Sequence, residues 1–110
     1  MCTYDDVRRA ALQLPHVEEG TSYGTPALKA KGKLFIRLRD EGDVIVVKMP
    51  FDLRDELIEG DPDTYFVTDH YISHEWVLVR LARLTPEALP DLLRTAHRVS
   101  VRKPKANLLS

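Results

Sequence analysis

The sequence predicts an α+β two-layer sandwich, an antiparallel sheet of about five strands with helices packed on one face. Two observations predict it. Apolar residues recur at helical spacing in three stretches and alternate in several others. The first strands are joined by links of only a few residues, which suits antiparallel neighbours and excludes parallel crossovers. A chain of 110 residues is the usual size of one domain, and it buries roughly 65% of its unfolded surface without staples. One domain over residues 1–110 is therefore expected, with a basic tail over 102–110.

In chain order, Thr3 reads as an N-cap with Asp6 as its capping-box partner. Val7, Ala10, Ala11 and Leu14 make one apolar helical stripe, which Pro15 ends. Residues 15–26 read as a loop, with turn signals at Gly20, Gly24 and Pro26. Ala27 to Lys31 is a predicted strand, Lys31-Gly32-Lys33 a hairpin tip, and Leu34 to Arg39 the returning strand. In that strand Leu34, Ile36 and Leu38 alternate with Phe35, Arg37 and Arg39. Asp40 to Asp43 is a turn, and Val44 to Met49 a buried, β-branched strand. Asp52 is the expected cap of a second helix that turns Leu53, Leu57 and Ile58 inward and stops at Gly60. Tyr65 to Thr68 and Trp76 to Leu81 are strands, joined by a polar, aromatic loop. Thr85-Pro86 signals a last helix with the stripe Leu89, Leu92, Leu93, Ala96 and Val99. Pro90 requires either that the regular helix begins near it or that the first turn is distorted. The resulting order is helix, three strands, helix, two strands, helix.

Composition bounds the function classes. The single cysteine, Cys2, excludes an intramolecular disulfide and suits a reducing, cytoplasmic setting. No apolar run approaches the roughly 20 residues that span a bilayer, and the N-terminus lacks the pattern of a secretory signal. No membrane association and a monomer are the expectation. The net charge of −1 hides a segregated pattern. Residues 27–39 carry five positive charges and no negative one; residues 40–75 carry two positive against eleven negative; residues 76–110 carry seven positive against two negative. Fields act over a Debye length of about 8–10 Å, so a basic face can matter despite the total.

Glu18-Glu19-Gly20-Thr21-Ser22-Tyr23-Gly24-Thr25-Pro26-Ala27, followed by Lys31-Gly32-Lys33-Leu34-Phe35, resembles the MmcQ/YjbR family of small bacterial proteins. So do Tyr65-Phe66-Val67-Thr68-Asp69-His70-Tyr71 and Trp76-Val77-Leu78-Val79-Arg80-Leu81. The resemblance runs from about Tyr4 to Val101. It implies a compact fold likened to double-wing DNA-binding proteins, and it brings no agreed catalytic residues. Ile72-Ser73-His74-Glu75 departs from the Gly-rich or Pro-containing stretch associated with the family before the tryptophan.

Two sets of candidate residues follow. If Leu34, Ile36 and Leu38 face the helices, then Phe35, Arg37 and Arg39 face away from them. Lys29, Lys31, Lys33, Arg80 and Trp76 are expected on that same uncovered face. Cations beside aromatic rings suit phosphates and stacked bases, which makes DNA the expected partner. The second set, Thr21, Tyr23, Thr25, His70 and Tyr71, would line a small-molecule cleft between the 21–26 and 69–76 loops. A third reading is a protein-interaction module.

Catalysis has little basis. Gly20 to Gly24 is neither a P-loop nor a dinucleotide fingerprint, and no Gly-x-Ser-x-Gly elbow occurs. Cys2 is expected to be terminal and mobile. Glu18-Glu19 and Asp55-Glu56 are adjacent in sequence and read as solvated charge. His70 and His74 would share a face only on a helix, which a polar loop is not, so neither a metal nor a cofactor is expected. A binding domain rather than an enzyme is the expectation.

Overall fold

The computed structural model describes residues 1–39 and 42–102. Its elements are α1 (Tyr4–Ala11), β1 (Val17–Ser22), β2 (Thr25–Ala30), β3 (Lys33–Leu38), β4 (Val44–Lys48), α2 (Phe51–Gly60), β5 (Tyr65–Phe66), β6 (Trp76–Arg80) and α3 (Leu89–Val101). The six strands form one antiparallel sheet in the order β1-β2-β3-β4-β6-β5. The expected α+β sandwich is present, with six strands where about five are predicted.

The additional strand, β1, lies in the segment read as a loop. It is an edge strand with Glu18, Glu19 and Thr21 exposed, so it carries no buried alternation to mark it. A two-residue turn at Tyr23-Gly24 forms it, pairing Ser22 with Thr25. Both turn residues have positive φ, 53° at Tyr23 and 80° at Gly24, which makes the turn type I′ and matches the strands' right-handed twist. Lys31-Gly32 repeats the device at 51° and 78°, joining Ala30 to Lys33. Lys31 is therefore a turn residue and does not share a strand face with Lys29.

The helices keep their expected faces with shifted ends. Thr3 and Asp6 form the capping box of α1, but the helix closes at Ala11. Leu14 reaches the core through a following turn rather than the helix. Pro50, not Asp52, occupies the N-cap of α2, and Leu53, Leu57 and Ile58 pack inward. Pro90 is accommodated because regular helix begins at Leu89, placing it in the first turn where its missing N–H costs nothing. Thr85 Oγ1 accepts from the Ala88 N–H at 3.2 Å in the turn before it. All five residues of the α3 stripe are buried.

One core lies between the sheet and the helices. It contains Leu28, Phe35, Ile36, Ile45, Val47, Val77 and Val79 from the strands, and Val7, Leu92, Leu93 and Ala96 from α1 and α3. Cys2 belongs to it at 3% exposure, and its N–H donates to Leu81 O at 3.0 Å. The N-terminal cysteine is thus fixed and buried, contrary to the expectation of a mobile tail, and burial raises its thiol pKa. The turn expected at 40–43 is described only from Gly42, which has φ 83° and donates to Arg39 O at 2.9 Å. Asp40, Glu41 and residues 103–110 of the tail lie outside the described residues. No helix among the described residues is long and apolar enough to cross a membrane.

Candidate functional site

The sheet face opposite the helices is fixed by register. Phe66 pairs with Leu78, Leu78 with Val46, Val46 with Arg37, Arg37 with Ala27, and Ala27 with Gly20. One row of this face therefore crosses all six strands, and Arg37 is its charged member. Alternation in β3 has a break that the sequence reading does not anticipate. Leu28 pairs with Ile36 but Lys29 with Leu34, so Phe35 is an extra residue in a β-bulge. Phe35 and Ile36 are both fully buried in the helix-side core. Phe35 sets its ring edge-on to His97 of α3, centroids 6.0 Å apart. Leu34 and Phe35 thus exchange the sides expected of them, while Ile36, Arg37 and Leu38 keep theirs.

That face is not bare. Val44, Val46 and Leu78 form a second apolar cluster with Phe66, Tyr71 and Trp76. The segment between β5 and β6 folds over it as a series of turns, with Tyr71 N–H donating to Thr68 O and His74 N–H to Tyr71 O at 2.9 and 3.0 Å. Arg54 of α2 anchors this segment. It is 6% exposed, and its Nη1 donates to His74 O at 2.9 Å and reaches Tyr71 O at 3.5 Å. Its Nε is buried without a hydrogen bond, with Asp55 Oδ1 3.7 Å away as an ion-pair partner.

Between this segment and the Tyr23-Gly24 turn lies a cavity of about 260 Å³. Leu34, Arg37 and Val46 line it from the sheet, Trp76 from the start of β6, Tyr23 from the turn, and His70, Tyr71 and His74 from the covering segment. Arg37 donates from Nη2 to Tyr71 Oη at 2.9 Å and from Nη1 to Thr25 Oγ1 and Leu38 O, both at 3.4 Å. Its guanidinium carbon lies 5.4 Å from the centroid of the Tyr23 ring. It makes no ion pair with a carboxylate among the described residues. His70 packs edge-on against Tyr71, centroids 4.8 Å apart. The result is a half-buried cation held by neutral groups inside a pocket with three aromatic side chains.

The two candidate sets meet here in part. Arg37 and Trp76 come from the basic-face set, and Tyr23, His70 and Tyr71 from the cleft set. Thr25 lies beneath Arg37 as its hydrogen-bond partner, 9% exposed. Lys29 is half-buried on the same face, and its stem runs beside Gly20, where an added Cβ would stand 3.8 Å from Lys29 Cε. The others lie apart. Lys31 is at the hairpin tip, Thr21 is exposed on β1, and Arg39 pairs through its backbone with Val44. Arg80 lies over the Phe66 ring at 4.0 Å and donates to Asp63 O, on the strands remote from Tyr23. Lys33 lines a neighbouring cavity with Lys48. The cations expected on one continuous surface are distributed over several. Lys48, Arg54, Leu34 and Val46 are neighbours of the site that the sequence reading does not name as functional. Among the described residues, no three His, Cys, Asp or Glu side chains gather as a metal site would require.

The family model described as YjbR matches residues 12–99. The chain belongs to the YjbR family. Among curated relatives, the uncharacterized proteins Rv2570 of Mycobacterium tuberculosis (strain H37Rv) and Mb2600 of Mycobacterium bovis are each 29% identical over 111 residues. The match covers 87% of this chain and 86% of theirs. Among solved structures, Deinococcus radiodurans protein DR2400, with the family-model domain DUF419, superposes with a TM-score of 0.79 at 25% identity. It covers 96% of this chain and 85% of that one. The YjbR fold is therefore common to both, and the cavity facing Arg37 is built on its six-stranded sheet.

Proposed function

We propose that this YjbR protein is a binding domain, not a catalyst, and that its ligand is a small flat molecule lodged in the cavity over Arg37. The observation that carries this is the state of Arg37: half-buried, held by Tyr71, Thr25 and a backbone carbonyl, and unneutralised by any described carboxylate. A cation kept in such a place favours an acceptor oxygen or carboxylate brought by a ligand. The rings of Tyr23, Tyr71 and Trp76 supply stacking surface around it.

The chain's single tryptophan lines the cavity, so its fluorescence reports occupancy. A panel of aromatic carboxylates and heterocycles titrated against the protein is expected to yield saturable quenching by at least one. Arg37→Met should then weaken that ligand by about 1.5–3 kcal/mol, the worth of a hydrogen bond to a charged group, or about 10–150-fold in Kd. Equal affinity of the folded variant and the wild type would defeat the reading.

DNA binding is the second reading. It is favoured by Lys29, Arg37 and Trp76 sharing the face and by the lysines of the adjoining cavity. It requires affinity for short DNA that falls steeply between about 50 and 200 mM salt. The segment covering this face and the scatter of the remaining cations favour the small ligand over a duplex.

A further inference from the structure

Next to the cavity over Arg37 lies a second one of about 250 Å³, and Leu34 lines both. Lys33, Lys48, Arg102 and Glu75 give the second cavity its charge. Lys48 and Trp76 are register partners on β4 and β6, with Lys48 Nζ 4.9 Å from the Trp76 ring centroid. Trp76 faces the first cavity and Lys48 the second, so this one pair forms a shared boundary. Resting on the binding reading above, we infer that the two cavities form one composite site for a heteroaromatic ring bearing a phosphate, the chemistry of a nucleotide.

The charge balance carries the assignment. Glu75 lies 3.8 Å from Arg102, which offsets its charge. Lys33 and Lys48 make no ion pair with a carboxylate among the described residues, so the cavity keeps an excess of two positive charges. The carbonyl end of α3 borders the cavity and lowers that excess by about half a charge, which leaves it positive. Ser100 donates its hydroxyl to Ala96 O at 2.9 Å, which leaves the lysines as the free donors. Lysine ammonium groups bind phosphate as point charges, while Arg37, half-buried and fixed by its hydrogen bonds, presents its fork to the acceptor edge of a ring. The cavity over Arg37, about 260 Å³, suits a ring system alone, and joined to its neighbour of about 250 Å³ it gains room for a substituent on that ring.

The nucleotide chemistry has two sources, a free mononucleotide or one residue of a single strand. Trp76 fluorescence is titrated with thymidine and guanosine, their 5′-monophosphates, inorganic phosphate and a ten-residue oligothymidylate. A monophosphate is expected to bind at least about tenfold more tightly than its nucleoside. Lys33→Gln, which lines the second cavity alone, should reduce that difference while leaving nucleoside affinity within about twofold, and Lys33→Gln/Lys48→Gln should erase it. An oligonucleotide that binds more tightly than the monophosphate assigns the source to a strand, and equal affinity assigns it to the free nucleotide. Equal affinity for nucleoside and monophosphate overturns the phosphate subsite and leaves the cavity over Arg37 standing. Quenching by aromatic carboxylates without any by nucleosides or nucleotides does the same. No saturable quenching by any probe overturns both.

Discussion

Tyr23 occupies a position that folding alone does not explain. It is 89% exposed, so its ring buries almost nothing, and its φ of 53° lies in the left-handed region that disfavours a side chain of its size. A type I′ turn with glycine second accepts asparagine best at that first place. Local strain carried by an exposed aromatic is the kind found at ligand sites, and this ring lies over Arg37. Tyr23→Asn is therefore expected to stabilise the protein by about 0.5–1 kcal/mol, as relief of left-handed strain, while weakening any ligand that quenches Trp76. Urea unfolding and the fluorescence titration read the two effects separately. A loss of stability would give the ring a structural role, and unchanged affinity would remove it from the site.

The segment between β5 and β6 depends on α2 through one side chain. Two effects of Arg54→Met oppose each other. The change removes a charged hydrogen bond to His74 O, worth about 1.5–3 kcal/mol, and relieves a buried Nε without a hydrogen bond that costs about 1–3 kcal/mol, a cost that the exposed Asp55 carboxylate 3.7 Å away offsets only slightly. Because the terms are of similar size, global stability should move by less than about 1 kcal/mol, but the segment should lose its anchor. Faster amide exchange of the His74 and Trp76 N–H groups, with the core unchanged, is the expected result. Unaltered exchange there would show that the second apolar cluster alone holds the segment. This coupling was not legible beforehand, because Arg54 sits among polar helix residues and only its depth marks it. The elements whose periodicity is tied to burial were legible: the α3 stripe, the hairpin at Lys31-Gly32 and the buried strand β4. β1 escaped because an exposed edge strand has no apolar alternation. The phase of β3 was misread because Leu34-Phe35-Ile36 is apolar throughout, so either phase satisfies the pattern and only the bulge chooses. The site was half legible for the same reason. Tyr23, His70 and Tyr71 stood out in loops and Arg37 by its face. Lys48 read as no more than the end of a buried strand, and its nearness to Trp76 depends on a pairing between distant segments.

At the scale of the whole molecule, charge and burial meet in the alkaline range. Tyr4 packs against the main core, and burial, reinforced by the charge of Glu19 and opposed by Arg8, pushes its phenol up to about 12. Burial, then Asp61, raises Tyr65 as well. An unfolded tyrosine titrates near pH 10. Between that value and the folded one, the unfolded chain has released a proton that the folded chain retains, so unfolding binds fewer protons and stability falls as pH rises. The contribution is complete below about pH 10 and is lost as pH climbs through about 12. The acid limb runs the other way: hydrogen bonds from Arg8 to Asp5, and from the Thr3 backbone to Asp6, lower those carboxyls. Their support is present above the ordinary carboxylate range and fades as pH falls through the lowered values. Asp5 is exposed and Asp6 half-exposed, so added salt should shrink the acid effect, while the half-buried Tyr4 and the buried Tyr65 should respond less. Tyr4→Phe isolates the contribution of Tyr4, since it removes the titrating phenol and keeps the ring. Its urea midpoint should fall less steeply than that of the wild type between pH 10 and 12, with the wild type's descent accompanied by phenolate absorbance. Parallel curves for the two proteins would assign the alkaline loss to the remaining buried groups, Tyr65 and Cys2, in place of Tyr4.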